Sequence, residues 1–215
     1  MPSDPTKLDP LPMPISKRVF DIAIGSLALI VTSPFWLLIA LAIKLDSAGP
    51  IFFGSYPDGK KVLRVGRGGQ LFHFVKFRTM VINDHHSRYE MPSHRAGPLV
   101  KITDDPRITR VGRFLRKVSL DELPNLIAVI RGDMSLVGPR PHLPEEVAKY
   151  SKAEKEVLRG TPGITGLPQV SGRSDLSFKK EVELDLDYLR TQSLWLDITI
   201  LFRTVWVVLA PSHKE

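Results

Sequence analysis

Apolar and polar positions alternate in three regimes along the chain. Residues 22–43 form an apolar run without a single charge, flanked by Lys17 and Arg18 on one side and Lys44 on the other. As a straight helix this run spans about 33 Å at about 1.5 Å per residue, enough for a hydrocarbon core of about 30 Å. Ser33-Pro34 sits at its midpoint, and an interior proline removes a backbone bond at a cost of about 3 kcal/mol or more. The freed carbonyl needs a partner in lipid, and the hydroxyls of Thr32 and Ser33 are adjacent. With both flanks basic, the positive-inside rule assigns no direction of crossing. A helix broken at Ser33-Pro34 that dips in and returns to the same face fits both facts. A proline-kinked spanning helix stays open on physical grounds alone.

After Gly49-Pro50 the pattern shortens. Residues 51–53 and 71–75 read as strands, with turns at Pro57-Asp58-Gly59 and Gly66-Arg67-Gly68-Gly69. Residues 83–106 are polar and irregular. Helical spacing returns at residues 108–115 and 123–130, and residues 145–158 and 178–190 read as amphipathic helices. Residues 195–209 are apolar, with Trp195, Phe202 and Trp206, but too short for a confident span. A core helix and an interfacial helix both remain open there. The expected fold is α+β and helix-dominated, with a small β-hairpin or sheet and interfacial amphipathic helices. It divides into a Pro-rich tail (1–16), the membrane helix (17–47) and a membrane-associated domain (48–210).

Composition changes the picture in two ways. Cysteine is absent, which removes disulfides and Cys-ligated metals. The net charge of +7 is concentrated: residues 60–117 hold 14 Lys or Arg against 4 Asp or Glu. The partner of that region is anionic, whether nucleotide phosphate, lipid headgroup or nucleic acid. No recognised nucleic-acid motif accompanies the charge, and a nucleic-acid binder leaves the apolar run unexplained, so nucleic acid is not expected as a partner. A basic, membrane-anchored binding module without chemistry is the other rival.

Candidate chemistry lies in four places. Ser119-Leu120-Asp121-Glu122 reads as a capping box or as a nucleophilic carboxylate with a neighbouring acid or base, and a helix start would serve both. Pro124 complicates the helix. Arg140 is held between Pro139 and Pro141, a stiff setting that suits bidentate phosphate binding as well as a rigid exposed loop. Asp133 reads as a turn or cap residue. Pro162-Gly163-Ile164-Thr165-Gly166 and Gln169-Val170-Ser171-Gly172-Arg173 suit turns between strands, or a backbone that approaches phosphate or sugar. In a strand, Lys76 and Arg78 would share one face, and Arg113 and Arg116 share a helical face. No metal motif is visible, and His85-His86 reads as a loop pair. Mg²⁺ needs only one or two carboxylates when substrate phosphates complete its shell, so it leaves no motif.

Taken in order, these segments resemble the monotopic phosphoglycosyl transferases, the bacterial sugar transferase family. The resemblance runs over Lys17-Arg18 and Asp21, Ser33-Pro34, Lys76-Phe77-Arg78-Thr79-Met80, the stretch from Asp105-Pro106-Arg107 to Pro141, Pro162 to Gly166, Ser171-Gly172-Arg173, and Ser193-Leu194-Trp195-Leu196-Asp197. Ser174-Asp175-Leu176-Ser177-Phe178 is similar to the catalytic half of the larger hexose-phosphate members. Pro168 departs from the aromatic residue usual in those members.

The resemblance implies a re-entrant helix with both ends at the cytoplasmic face of the bacterial inner membrane. It implies transfer of a hexose-1-phosphate from a UDP-sugar to undecaprenyl phosphate through a phosphosugar-aspartate, in polysaccharide or glycoconjugate synthesis. Asp121 would be the nucleophile and a ligand of the required Mg²⁺, with Glu122 its partner. Lys76, Arg78, Arg116, Arg140, Pro141 and Arg173 would surround the phosphates or uridine. Membrane phospholipids are the other expected partners, and a homodimer stays open.

Overall fold

The computed structural model describes residues 8–81, 97–99, 102, 105–172 and 176–209. Its largest element is α1 (Ile15–Asp46), a helix of 32 residues whose middle is exposed and apolar, including Leu27, Ile30, Val31, Phe35, Leu37 and Leu38. The backbone stays helical through Ser33-Pro34, so the break expected there is not an unwound segment. What the proline removes is one bond. The Ser33 hydroxyl donates to the Ile30 carbonyl that Pro34 cannot reach, at 2.9 Å, and Thr32 donates to Ala28 O at 2.7 Å. This is the local repair that lipid demands of a freed carbonyl.

Both ends of α1 are fastened to the same body. The Arg18 guanidinium donates to Val129 O and Ile130 O, which are terminal carbonyls of the helix α3 (Asn125–Arg131). Asp21 accepts from the Leu136 amide at 3.1 Å, on strand β5 (Ser135–Val137). At the other end, Ile39 and Ile43 pack with Phe77 and with Leu115 of α2 (Arg110–Lys117). Asp46 accepts from the Val111 amide at 2.9 Å, where a carboxylate meets the positive end of α2.

Three two-stranded sheets carry the rest. β1 (Phe52–Phe53) pairs antiparallel with β4 (Lys76–Phe77), in the register Phe52 to Phe77. β2 (Leu63–Val65) pairs antiparallel with β3 (Leu71–His73), and β5 pairs parallel with β6 (Gly163–Thr165). The strand expected over residues 71–75 therefore divides. It pairs with one hairpin as far as His73 and feeds the other from Lys76. β2 was not expected from the sequence, because its two apolar positions flank Arg64.

The helix expected over residues 145–158 is also corrected. It is α4 (Pro144–Val147), α5 (Lys152–Lys155) and a 3-10 turn (Glu156–Arg159). Ser151 starts a new helix with a capping box: its hydroxyl accepts from Glu154 N–H at 3.3 Å, and its own N–H donates to the Glu154 carboxylate at 2.6 Å. The interruption turns Val147, Tyr150, Val157 and Leu158 into one buried cluster.

Three helices follow: α6 (Leu167–Ser171), α7 (Phe178–Thr191) and α8 (Leu194–Leu209). α8 packs against the body along one face and leaves the other exposed. Asp197 and Ile200 are buried, while Trp195, Phe202, Trp206 and Leu209 are exposed. The tail is less free than its composition implies. From Leu8 it lies against the body, with Leu8 N–H donating to Gly68 O and Leu11 N–H to Arg159 O.

Candidate active site

A cavity of about 560 Å³ opens where β2, β4, α2, the 3-10 turn Leu120–Glu122 and the segment after β5 converge, closed on the far side by α6, α7 and α8. Lys76, Arg116, Asp121, Glu122, Arg140 and Pro141 all line it. These six residues come from sequence positions 65 residues apart, so their meeting is a property of the fold.

The turn that presents Asp121 is unlike the helix start expected for it. Ser119 adopts φ 56°, the one positive φ of a non-glycine among the described residues, and its side chain caps nothing. A left-handed residue there is a local strain, which folded proteins keep where geometry matters. The turn after it projects Asp121 toward Lys76, with Oδ2 3.5 Å from Nζ. Glu122 does not reach back to cap. It faces Arg140, Oε1 to Nη2 3.5 Å. α3 begins only after Pro124, so the proline falls outside the helix it would otherwise interrupt.

α2 supplies Arg116, whose Nε donates to Thr79 Oγ1 at 3.0 Å. That contact needs α2 to lie directly on the Thr79 carbonyl, and Gly112 allows it: a Cβ there would collide with Thr79 O. Arg113, three residues before Arg116, is exposed and does not line the cavity.

One expected residue, Arg78, is not brought to the cavity. Its backbone continues the pairing of β4 with β1, the Arg78 N–H donating to Ile51 O at 2.9 Å, but its side chain does not line the cavity as Lys76 does. Its guanidinium turns to the carbonyls just past the end of α1, donating to Ser47 O at 2.7 Å and to Ala48 O, where a cation suits the negative helix end. Arg78 is therefore a clamp on α1. Arg173 lies outside the described residues, as do His85 and His86. Pro168, the departure noted above, lines the cavity.

The electrostatics divide the cavity. Burial lowers the Lys76 ammonium from its ordinary range, opposed by the charge of Asp121. Burial also lowers Arg116, against the pull of Asp121 and Asp105. Arg140 is raised, chiefly by Glu122, and senses Asp121 on one side and Glu181 and Glu146 on the other. Beyond Arg140 the walls are acidic: Glu146, Glu181 and Asp185.

Sequence reasoning did not single out Asp185, which is 4% exposed. Its carboxyl is pushed well above the usual range by burial first and by the charge of Glu181 second, against a lesser pull from Arg140. The folded protein thus holds this proton more tightly than the unfolded chain. Stability contributed by the site falls as pH rises above the ordinary carboxylate pKa of about 4. Asp185→Asn removes that dependence. The variant will melt above the wild type at neutral pH, and the gap will close as pH falls toward about 4, as read by thermal melts across pH.

Among the described residues no group of three or more His, Asp or Glu forms a metal cage. Asp121 and Glu122 supply two carboxylates at the cavity wall, a set that fits a hard ion only when substrate phosphates complete the shell.

Residues 13–211 match the family model described as bacterial sugar transferase. The chain is 43% identical over 199 residues to the exopolysaccharide production protein ExoY of Sinorhizobium fredii, covering 89% of this chain and 84% of that protein. It is 41% identical over 207 residues to the UDP-glucose:undecaprenyl-phosphate glucose-1-phosphate transferase of Caulobacter vibrioides, covering 91% of this chain and 72% of that protein. It is 44% identical over 199 residues to the undecaprenyl-phosphate galactose phosphotransferase of Salmonella typhimurium, covering 90% of this chain but 40% of that protein.

Proposed function

Because the chain belongs to the bacterial sugar transferases, we propose that it moves a hexose-1-phosphate from a UDP-sugar to undecaprenyl phosphate and releases UMP, as the first membrane step toward a polysaccharide or glycoconjugate. The observation that carries this reading is Asp121, a carboxylate on a cavity wall with Lys76 3.5 Å away and Arg116 and Arg140 beside it. The relatives' names support the class of reaction, one naming galactose and another glucose, so the hexose itself stays open between epimers.

In the mechanism, a carboxylate oxygen of Asp121 attacks the sugar-side phosphorus of the donor. The bond from that phosphorus to the bridging oxygen breaks, and UMP leaves with the electron pair. An oxygen of the lipid phosphate then attacks the same phosphorus, the acyl phosphate bond breaks, and the Asp121 carboxylate is restored. Splitting the transfer in two is nucleophilic catalysis. Lys76, Arg116 and Arg140 bind the phosphate oxygens and stabilise the charge that builds on them, and such stabilisation supplies most of the catalysis in phosphoryl transfer. Glu122 holds Arg140 in place until substrate arrives. Mg²⁺, held by Asp121 together with the donor's phosphates, would neutralise charge on the diphosphate.

An acceptor phosphate on a lipid lies at headgroup level, and the chain is built to work there. The exposed apolar middle of α1 suits insertion, and its two basic ends, both fastened to one body, suit a re-entrant course with the catalytic domain on the cytoplasmic face. α8, which carries the exposed Trp195 and Trp206, also contributes Thr204 and Val207 to the cavity wall. Basic residues near anionic phospholipids add about 1 kcal/mol each. Of three Trp in the chain, Trp36 lies in α1. In a Trp36→Phe variant, lipids brominated near the headgroup will quench most of the fluorescence of Trp195 and Trp206. Quenching no greater than in detergent alone would remove α8 from the interface.

The experiment that tests the function is intact mass of the detergent-purified chain after incubation with UDP-hexoses and Mg²⁺, without lipid acceptor. A gain of one hexose phosphate, discharged by undecaprenyl phosphate with UMP release, is the expected result. UMP release on adding lipid, with no adduct beforehand, would replace the covalent step by direct transfer.

A further inference from the structure

The proposed reaction needs the donor's sugar to be held while its phosphorus reacts, and the cavity offers two chemically distinct ends. Lys76 and Arg116 line one end beside Asp121, with Lys76 Nζ 3.5 Å from Asp121 Oδ2. Arg140 senses carboxylates at both ends, which places it at the divide. Beyond it, Asp185 on α7 and Gln169 on the adjoining α6 line the cavity. Asp185 Oδ1 and Gln169 Oε1 are buried and have no hydrogen-bond partner. A buried acceptor left unmatched costs free energy, so an incoming donor is favoured there. Phosphate oxygens are acceptors only and negatively charged, which excludes them from this end. Sugar hydroxyls are uncharged donors, and they also accept from an uncharged carboxyl.

We infer that Asp185 and Gln169 form the subsite that binds hydroxyls of the donor's hexose, so that Asp185 is a specificity-determining residue for the sugar. This rests on the UDP-sugar reading above, and it orients the donor: sugar toward α6 and α7, diphosphate between Arg140 and Lys76. The unmatched carboxyl then has a reason to persist despite its burial. Binding the sugar satisfies it.

The test uses the full chain in detergent, with wild type, Asp185→Ala, Asp185→Asn and Gln169→Ala. KM is measured for the accepted UDP-hexose and for its single-deoxy analogues, alongside inhibition by UDP, which lacks the sugar. Asp185→Ala is expected to raise KM for the UDP-hexose about tenfold or more while UDP inhibition changes less than about twofold. Asp185→Asn, which keeps an acceptor, loses less. At least one deoxy analogue is handicapped with wild type and loses that handicap with Asp185→Ala, the sign of a pairwise contact. Equal weakening of UDP and UDP-hexose, or no change in either, would overturn the subsite. So would a wild type indifferent to every deoxy analogue, which decides the matter even if Asp185→Ala fails to fold. A wild type that binds UDP but turns over no UDP-sugar would instead sink the underlying reading of the reaction.

Discussion

Asp121→Asn will abolish the phosphosugar adduct and lower lipid-linked product formation by on the order of 10⁴-fold or more, the scale of losing a covalent nucleophile. The amide keeps the shape of the side chain but offers no anionic oxygen to phosphorus. Folding is separable from chemistry here, because the turn is fixed by backbone and by packing of its neighbours Leu120 and Leu123. A melt within a few degrees of wild type, with no adduct, assigns the loss to the reaction. Glu122→Gln tests the neighbour. It removes the 3.5 Å partner of Arg140 and should reduce turnover less, since the nucleophile remains. An adduct of undiminished amount on Asp121→Asn would move the nucleophile elsewhere, with the remaining carboxylates of the cavity as the next candidates.

Much of this arrangement was legible in the sequence because local chemistry announces itself. The uncharged run over residues 22–43, the Ser33-Pro34 interruption and the hydroxyl repair at Ile30 O all follow from composition and backbone bonding. Asp121-Glu122 and Arg140 between prolines stood out as unusual neighbours. What stayed hidden depended on the third dimension. Arg78 and Lys76 alternate as strand residues do, but the carbonyls left open past the end of α1 lie within reach of Arg78 and take its guanidinium, a contact 31 residues away in sequence. The Ser119 segment obeys the capping-box pattern and caps nothing, because Ser119 is left-handed and α3 begins only after Pro124, whereas the same pattern does form a box at Ser151. Asp185 read as one more charge on an amphipathic helix. A signal was present, since Phe178, Val182, Asp185 and Tyr188 repeat at helical spacing and all are buried. A carboxylate on an otherwise apolar stripe marks either a buried pair or a ligand contact. The same stripe argument applies to Asp197 with Ile200 on α8, and to Lys17, Asp21 and Gly25 on α1.

Those last residues make the second large prediction. Lys17 Nζ lies 2.6 Å from Asp197 Oδ2 and donates to Val137 O at 3.0 Å, while the Tyr188 hydroxyl donates to Asp197 Oδ1 at 2.6 Å. Lys17 and Asp197 are both buried, so neither can fall back on water. Asp197→Ala takes the ion-pair partner from a buried ammonium, which costs roughly 3–5 kcal/mol. For a chain of this size that lowers the melting temperature by roughly 6–20 °C. Lys17→Met with Asp197→Leu removes both charges and should recover most of the loss, because a buried ion pair is worth little over an apolar pair of similar volume. The effect reaches the site. Val137, which Lys17 holds, precedes Arg140 by three residues, and the same Lys17 ties the start of α1 to α8 through Asp197. A displacement of Arg140 by about 1 Å would cost up to about 10²-fold in rate, so Asp197→Ala should lose turnover even at temperatures where it remains folded. A single variant melting within about 1 °C of wild type would mean that the pair is replaceable by water, and that the two ends of the chain are joined by apolar contacts alone.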